Sequence, residues 1–264
     1  MLNRFFIPFF LVASIFWSCE DNSEIFTPNY PTTIQTVSSD EIDMIFSELY
    51  ETPLYECTSV DDYGFCHVTT SSTACGKFDS IYVNYSYEEL ENIFHNALIE
   101  YSELLNISDL SDITISSIKN LKGMTFEAFK KAYPDSATTG WLITSNVQRV
   151  KNYPIYGTEI KVLVFFDRVR AIGGRRFSNL NIPDSDVYSE DDAKKKFIGQ
   201  EISSSSTVLK ITDESFWYTS EKVIFPYQSN NKIELRLCWK LRPEKWTVFV
   251  DTQTGRTFGV IKPT

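Results

Sequence analysis

The chain has 264 residues, of which 42% are hydrophobic and 23% charged, so it can bury a core of ordinary size. That composition excludes a disordered chain, a collagen-like fibre and a polytopic membrane protein. With 25 Lys and Arg against 35 Asp and Glu, the net charge of −10 sets the chain against phosphate backbones, and no nucleic-acid partner is expected. There are only two histidines, His67 and His95, so any imidazole chemistry has to use one of them.

Residues 1–18 read Met1-Leu2-Asn3-Arg4 and continue through the apolar run Phe5–Trp17. That run is too short to span a bilayer as a helix but fits the hydrophobic region of a signal peptide. Ser18, Cys19 and the polar stretch Glu20-Asp21-Asn22-Ser23-Glu24 follow directly. The pattern resembles a Bacteroidota-type lipoprotein signal. The resemblance implies that Cys19 is acylated, that membrane lipid is a partner through it, and that the chain sits in the cell envelope, as an outer-membrane lipoprotein. The acidic residues after Cys19 resemble a surface-export tag. A plain secretory signal with Cys19 as an ordinary residue is the alternative.

Residues 19–38 are polar with Pro28 and Pro31, and read as a tether. A region 39–140 follows, expected to be helical and to carry a cysteine loop. Its first helix is expected over 39–50, with Ile42, Ile45, Phe46 and Leu49 on one face. Cys57, Cys66 and Cys75 lie nine residues apart in a Ser/Thr/Asp/Gly-rich stretch. Zinc sites place two ligands two to four residues apart, so this spacing points to a disulfide among the three, and no metal is expected. Which two pair is left open. Cys238 sits between odd-numbered apolar residues of a strand and faces away from them.

The clearest helix is expected over 86–106. Leu90, Ile93, Phe94, Ala97, Leu98, Tyr101, Leu104 and Leu105 recur at three and four, behind a Ser86-x-x-Glu89 capping box. That face is core, and His95 lies on its flank. A shorter helix over 125–133 stops before Pro134. From Gly140 the character turns to strand: 141–150, 159–166 and a third strand through Val169, Ala171 and Ile172, the first two as antiparallel neighbours. A helix over 189–199 is capped by Ser189 with Asp192, with Ala193, Phe197 and Ile198 facing inward. Strands are expected over 208–211, 216–225, 232–241, 245–250 and 257–261. The fold class is α+β: antiparallel sheets with helices packed on one face, preceded by the helical cysteine-bearing region.

Two stretches of the second half carry a further resemblance. One is Gln148-Arg149-Val150-Lys151-Asn152-Tyr153-Pro154-Ile155-Tyr156-Gly157-Thr158-Glu159, continuing to Gly173-Gly174. The other is Trp246-Thr247-Val248-Phe249-Val250-Asp251-Thr252-Gln253-Thr254-Gly255. Between them lie Ser189-Glu190-Asp191-Asp192-Ala193 and Leu237-Cys238-Trp239-Lys240-Leu241. Together, over 141–264, these resemble the FTP/PepSY propeptide-type domain of thermolysin-like metalloproteases. The motif residues are structural: Gly157 and Gly255 for positive φ in tight turns, Asp251 to cap a turn through its carboxylate. The resemblance implies a fold and no active site, catalytic residue or cofactor. No His-Glu-x-x-His occurs.

The expected protein is therefore non-catalytic and lipid-anchored. It binds a peptidase in trans as inhibitor or folding helper, or binds another envelope protein. The alternative is an envelope adhesion or ligand-binding lipoprotein on the same scaffold. An enzyme with a carboxylate-based site ranks last. An uncharged sheet edge favours the first reading, exposed aromatics the second, and a cleft with facing carboxylates the third.

Overall fold

The computed structural model describes residues 29–35, 58–60, 66–69, 82–102, 105, 107–203, 208–212, 215–229, 232–244 and 246–261. The chain folds as α+β, with mostly antiparallel sheets. The helix expected over 39–50 lies outside the described residues, as do Cys19, Cys57 and Cys75.

The first sheet has six strands in the order β2-β3-β9-β8-β5-β4. These are β2 (Thr58–Val60), β3 (Cys66–Thr69), β4 (Ile115–Asn120), β5 (Gly140–Ser145), β8 (Lys161–Phe165) and β9 (Arg168–Gly173). β5 pairs antiparallel with β4 on one edge and with β8 on the other, so the sheet runs unbroken across position 140. Val162 and Val164 of β8 alternate inward, as their spacing predicts. Phe166 does not continue that strand. It takes φ +57° in the turn to β9, and its ring packs edge-on against Tyr82.

Two helices among the described residues cover this sheet. Helix α1 (Tyr87–Glu100) begins at Ser86, whose hydroxyl accepts the Glu89 N–H while Glu89 accepts the Ser86 N–H. It buries Leu90, Phe94, Ala97 and Leu98. The regular helix ends at Glu100, short of the apolar pattern, yet Tyr101, Leu105 and Ile107 still enter the core. Helix α2 (Phe126–Ala132) presents Phe129 edge-on to Trp141, with ring centroids 5.4 Å apart.

The second sheet has five strands: β1 (Thr32–Gln35), β12 (Glu221–Ser229), β13 (Lys232–Leu241), β14 (Thr247–Asp251) and β15 (Thr257–Ile261). β13 is its centre. β12 pairs along one edge of β13. The other edge is shared end to end: β1 takes Lys232–Leu235 and β14 takes Cys238–Leu241. Four residues of the segment expected to be tether are thus part of this sheet. The expected strand from 216 starts instead at Glu221, and the expected strand over 141–150 ends at Ser145.

Helix α3 (Glu190–Phe197) and the hairpin β10 (Glu201–Ser203)–β11 (Val208–Lys210) accompany this sheet. Ala193 and Phe197 are buried with Leu241, Trp246, Val248 and Val250. Ile198, expected to face inward, is exposed, because the helix ends at Phe197 and the chain turns through Gly199 at φ +86°. Between the sheets runs the short hairpin β6 (Arg149–Val150)–β7 (Tyr153–Pro154). Ile155 bridges to Ile224 and the Tyr156 N–H donates to the Ile224 carbonyl at 2.9 Å. The Pro154-Ile155-Tyr156-Gly157 run therefore touches β12 before the chain enters the first sheet at β8.

Candidate interaction surface and buried polar centres

The edge that β1 and β14 share leaves a gap opposite Arg236 and Leu237, and a polar centre fills it. Asp251, fully buried, ends β14. Its Oδ1 accepts the N–H groups of Gln253 and Thr254 at 2.9 and 2.7 Å, and the Thr254 hydroxyl at 3.1 Å, closing the turn to β15. Its Oδ2 accepts the Tyr30 hydroxyl at 3.0 Å and Nη1 of Arg236 at 3.1 Å. The Tyr30 oxygen in turn accepts the Leu237 N–H at 2.9 Å, and the Leu237 carbonyl accepts the Thr252 N–H. No backbone group of Leu237 is left unpaired where one strand stops and the next begins.

The electrostatics follow from burial. Burial and the adjacent Asp251 push the Tyr30 hydroxyl far above the usual tyrosine range. Burial, reinforced by Asp251, likewise raises the thiol of Cys238, which is free and packed against Val223 and Phe249. Burial works against the Arg236 guanidinium, but its hydrogen bonds to Glu234 and Asp251 outweigh that and hold its proton more firmly. This centre is structural: every group in it already has a partner.

The motif residues fall at turns. Gly157 has φ +77° and Gly255 φ +62°. Gln148 ties the segment after β5 to the segment after β9: its side chain accepts the Phe177 N–H at 2.8 Å and donates to the Phe177 carbonyl. Cys66 opens β3, and its side chain lies outside the described residues, as do those of Cys57 and Cys75. His95 is exposed on α1. Among the described residues no three His, Cys, Asp or Glu side chains converge as a metal set. Four of the five acidic residues over 184–192 are engaged: Asp184 with Lys151, Asp186 with Lys222, Glu190 with Lys194, and Asp192 in the α3 cap. No helix among the described residues is long and apolar enough to cross a membrane.

The outer strands of the two sheets are both bulged and differ in charge. On the first, β4 carries Lys119 and a bulge at Ser116, whose hydroxyl turns back to the carbonyls of Thr144 and Ser145. Bulges and charges blunt an edge against further pairing. On the second, β15 lies last in the order β1-β13-β14-β15. It reads Thr257-Phe258-Gly259-Val260-Ile261, bulges at Phe258 in its pairing with β14, has no charged residue, and exposes Val260. No strand among the described residues pairs its outer side. A separate exposed surface is formed by Phe216 and Tyr218, 59% and 43% exposed, with ring centroids 4.7 Å apart and the Arg242 guanidinium over Tyr218.

No family model and no curated protein matches this chain. Among solved structures it is similar to the Bacillus megaterium YpeB C-terminal domain, with a TM-score of 0.36 and 13% identity, over 88% of this chain and 100% of that one.

Proposed function

We propose that this chain is a non-catalytic binding module of the cell envelope, anchored through acylated Cys19, that takes an extended segment of a peptidase in trans. The outer side of β15 carries the reading. It offers an uncharged edge, bulged at Phe258 and regular through Gly259–Ile261, and an extended peptide adds to such an edge through main-chain hydrogen bonds. The propeptide-type motifs over 141–264, in a chain without His-Glu-x-x-His, support a peptidase as the partner and inhibition or folding assistance as the outcome. Tyr30 lies eleven positions after Cys19, and at ~3.5 Å per residue the anchor holds the second sheet within about 40 Å of the bilayer.

The test is a cross-linked pull-down of the mature protein from its own envelope and secreted fractions, run beside Val260→Lys. A charge on the edge strand opposes strand addition without touching the core. Wild type recovers a peptidase and lowers its activity when added pure, and V260K does neither. Failure to recover a peptidase, or equal recovery by V260K, sinks the reading. The exposed Phe216–Tyr218 pair favours a second one, an adhesion or ligand-binding lipoprotein. Recovery of glycan or outer-membrane transport components, lost in Phe216→Ala, puts that reading in front.

A further inference from the structure

Arg176 stands out among the buried groups. Only 8% of it is exposed, yet no carboxylate among the described residues lies within ion-pair distance. Its Nη2 makes three contacts, to Asn146 O at 3.1 Å, Asn146 Oδ1 at 3.3 Å and Ser145 Oγ at 3.4 Å, all long for hydrogen bonds from a cation. Its Nε and Nη1 are shielded from solvent and have no partner among the described residues. Burial pulls its pKa down, with Asp112 and Glu159 opposing that from a distance. A buried guanidinium without a counter-ion is among the costliest arrangements a fold can hold.

The same residue lines a cleft of about 310 Å³. Asp109, Asp112, Ser108, Gln148 and Ser178 share its walls. The Gln148 amide is committed to the Phe177 backbone, and the Asp109 carboxylate accepts the Ser111 N–H at 2.8 Å, so its hydrogen bonds to Ser111 hold its pKa below the usual range. The cleft thus joins one unpaired cation to two acidic side chains. A simple anion would satisfy Arg176 but meet Asp109 and Asp112 with like charge. A molecule carrying both a carboxylate and an ammonium group satisfies both ends.

We infer that the Arg176 cleft binds a small zwitterion, a free amino acid or short peptide, with its carboxylate on Arg176 and its ammonium toward Asp112 and Asp109. The volume suits a ligand of that size. Binding includes a turn of the guanidinium away from Ser145 and Asn146 into the cleft. The site lies beside the first sheet and is independent of the β15 edge.

Calorimetry and thermal shift on the mature protein test it, with free amino acids and Ala-Ala as probes, and acetate and methylamine as single-charge controls. Amino acids or Ala-Ala bind at least about tenfold more tightly than either control. Arg176→Met abolishes that binding. Asp112→Asn leaves the fold intact, because only the Asp112 backbone is bonded, to the Asn146 amide. It weakens the zwitterion about tenfold and tightens acetate. Absence of binding by every probe means water alone fills the cleft and overturns the inference. So does acetate binding as well as the amino acids, or D112N binding them unchanged.

Discussion

The two sheets solve the same packing problem in different ways. The first gathers its apolar residues into one core, from Leu90 and Phe94 on α1 to Val162 and Val164 on β8, under two helices. The second divides its apolar residues into three clusters. One lies around Ile224, Ile233, Leu235 and Leu237, a second around Leu241, Trp246 and Phe197, and a third around Cys238, Val223 and Phe249. The one helix beside it among the described residues has eight residues, and β13 buries side chains on both faces. A sheet with so little continuous core has to be held at its seams. Here the seam is polar, and Asp251 sits at its centre. Area holds the first sheet; complete hydrogen bonding holds the second.

The comparison breaks most severely where area is removed. Phe94→Ala takes a fully buried ring from between α1 and the first sheet, and roughly 3–5 kcal/mol of stability is expected to go with it. Denaturant unfolding measures it. An equal loss from Phe258→Ala, a half-buried ring on the second sheet, would show that core size does not separate the two regions.

Asp251→Ala is expected to cost about 3 kcal/mol, although it deletes only a few atoms. It leaves Arg236 with Glu234 alone, strips the Gln253 and Thr254 N–H groups of their acceptor, and frees the Tyr30 hydroxyl. Hydrogen exchange locates the damage: amides of β1, β13 and β14 lose protection while those of β5 and β8 keep theirs. Uniform loss across both sheets would mean that the seam is not local.

How far each region can be read from sequence follows from the same contrast. The Ser86–Glu89 box, the three-and-four spacing from Leu90 to Leu105 and the alternation of Ile160, Val162, Val164 and Phe166 are local signals; the elements form there, but the helix stops at Glu100 and the strand at Phe165, with Phe166 in the turn. Asp251 with Thr254 and Gly255 reads as a turn for the same reason. Local signals do not show that the other carboxylate oxygen of Asp251 meets Tyr30, 221 residues away. Thr32–Gln35 holds one apolar residue, Ile34, and is a strand only because β13 has an edge free there. Arg176 gives no signal of burial either, since an arginine is mostly exposed in folded proteins.

Alkali sharpens the comparison at a smaller scale. Tyr30 and Cys238 have folded-state pKa values raised above their unfolded ones, so both contribute stability that is complete below the unfolded values and lost as pH rises past them. With unfolded values of about 8.5 for cysteine and 10 for tyrosine, stability falls from about pH 8.5 upward. Tyr85, in the first core, is shifted in the same direction by its burial and adds to the slope. Tyr30→Phe costs about 1–2 kcal/mol at neutral pH, because the Leu237 N–H loses its acceptor, and it flattens the alkaline limb above pH 10. An unchanged limb in Tyr30→Phe and Cys238→Ala would move the alkaline sensitivity to Tyr85 and the first sheet.

The finest distinction lies between the two capping boxes, one in each region. Ser86→Ala and Ser189→Ala each remove a hydroxyl that accepts an N3 backbone N–H, worth about 1 kcal/mol. Helix α1 has fourteen residues and a deep core beneath it, so its first turn frays and the rest stays seated. Helix α3 has eight residues, two of them buried, and its start is tied to the sheet through Tyr188, whose carbonyl accepts Nε1 of Trp239 at 2.9 Å. Loss of the Ser189 cap therefore loosens Trp239 as well as the helix. Equal losses in global stability are expected from the two variants. Tryptophan fluorescence separates them: Ser189→Ala shifts the Trp239 emission to the red, and Ser86→Ala leaves the spectrum of the wild type. A red shift in neither would show that α3 is held by Ala193 and Phe197 in the core and not by its cap.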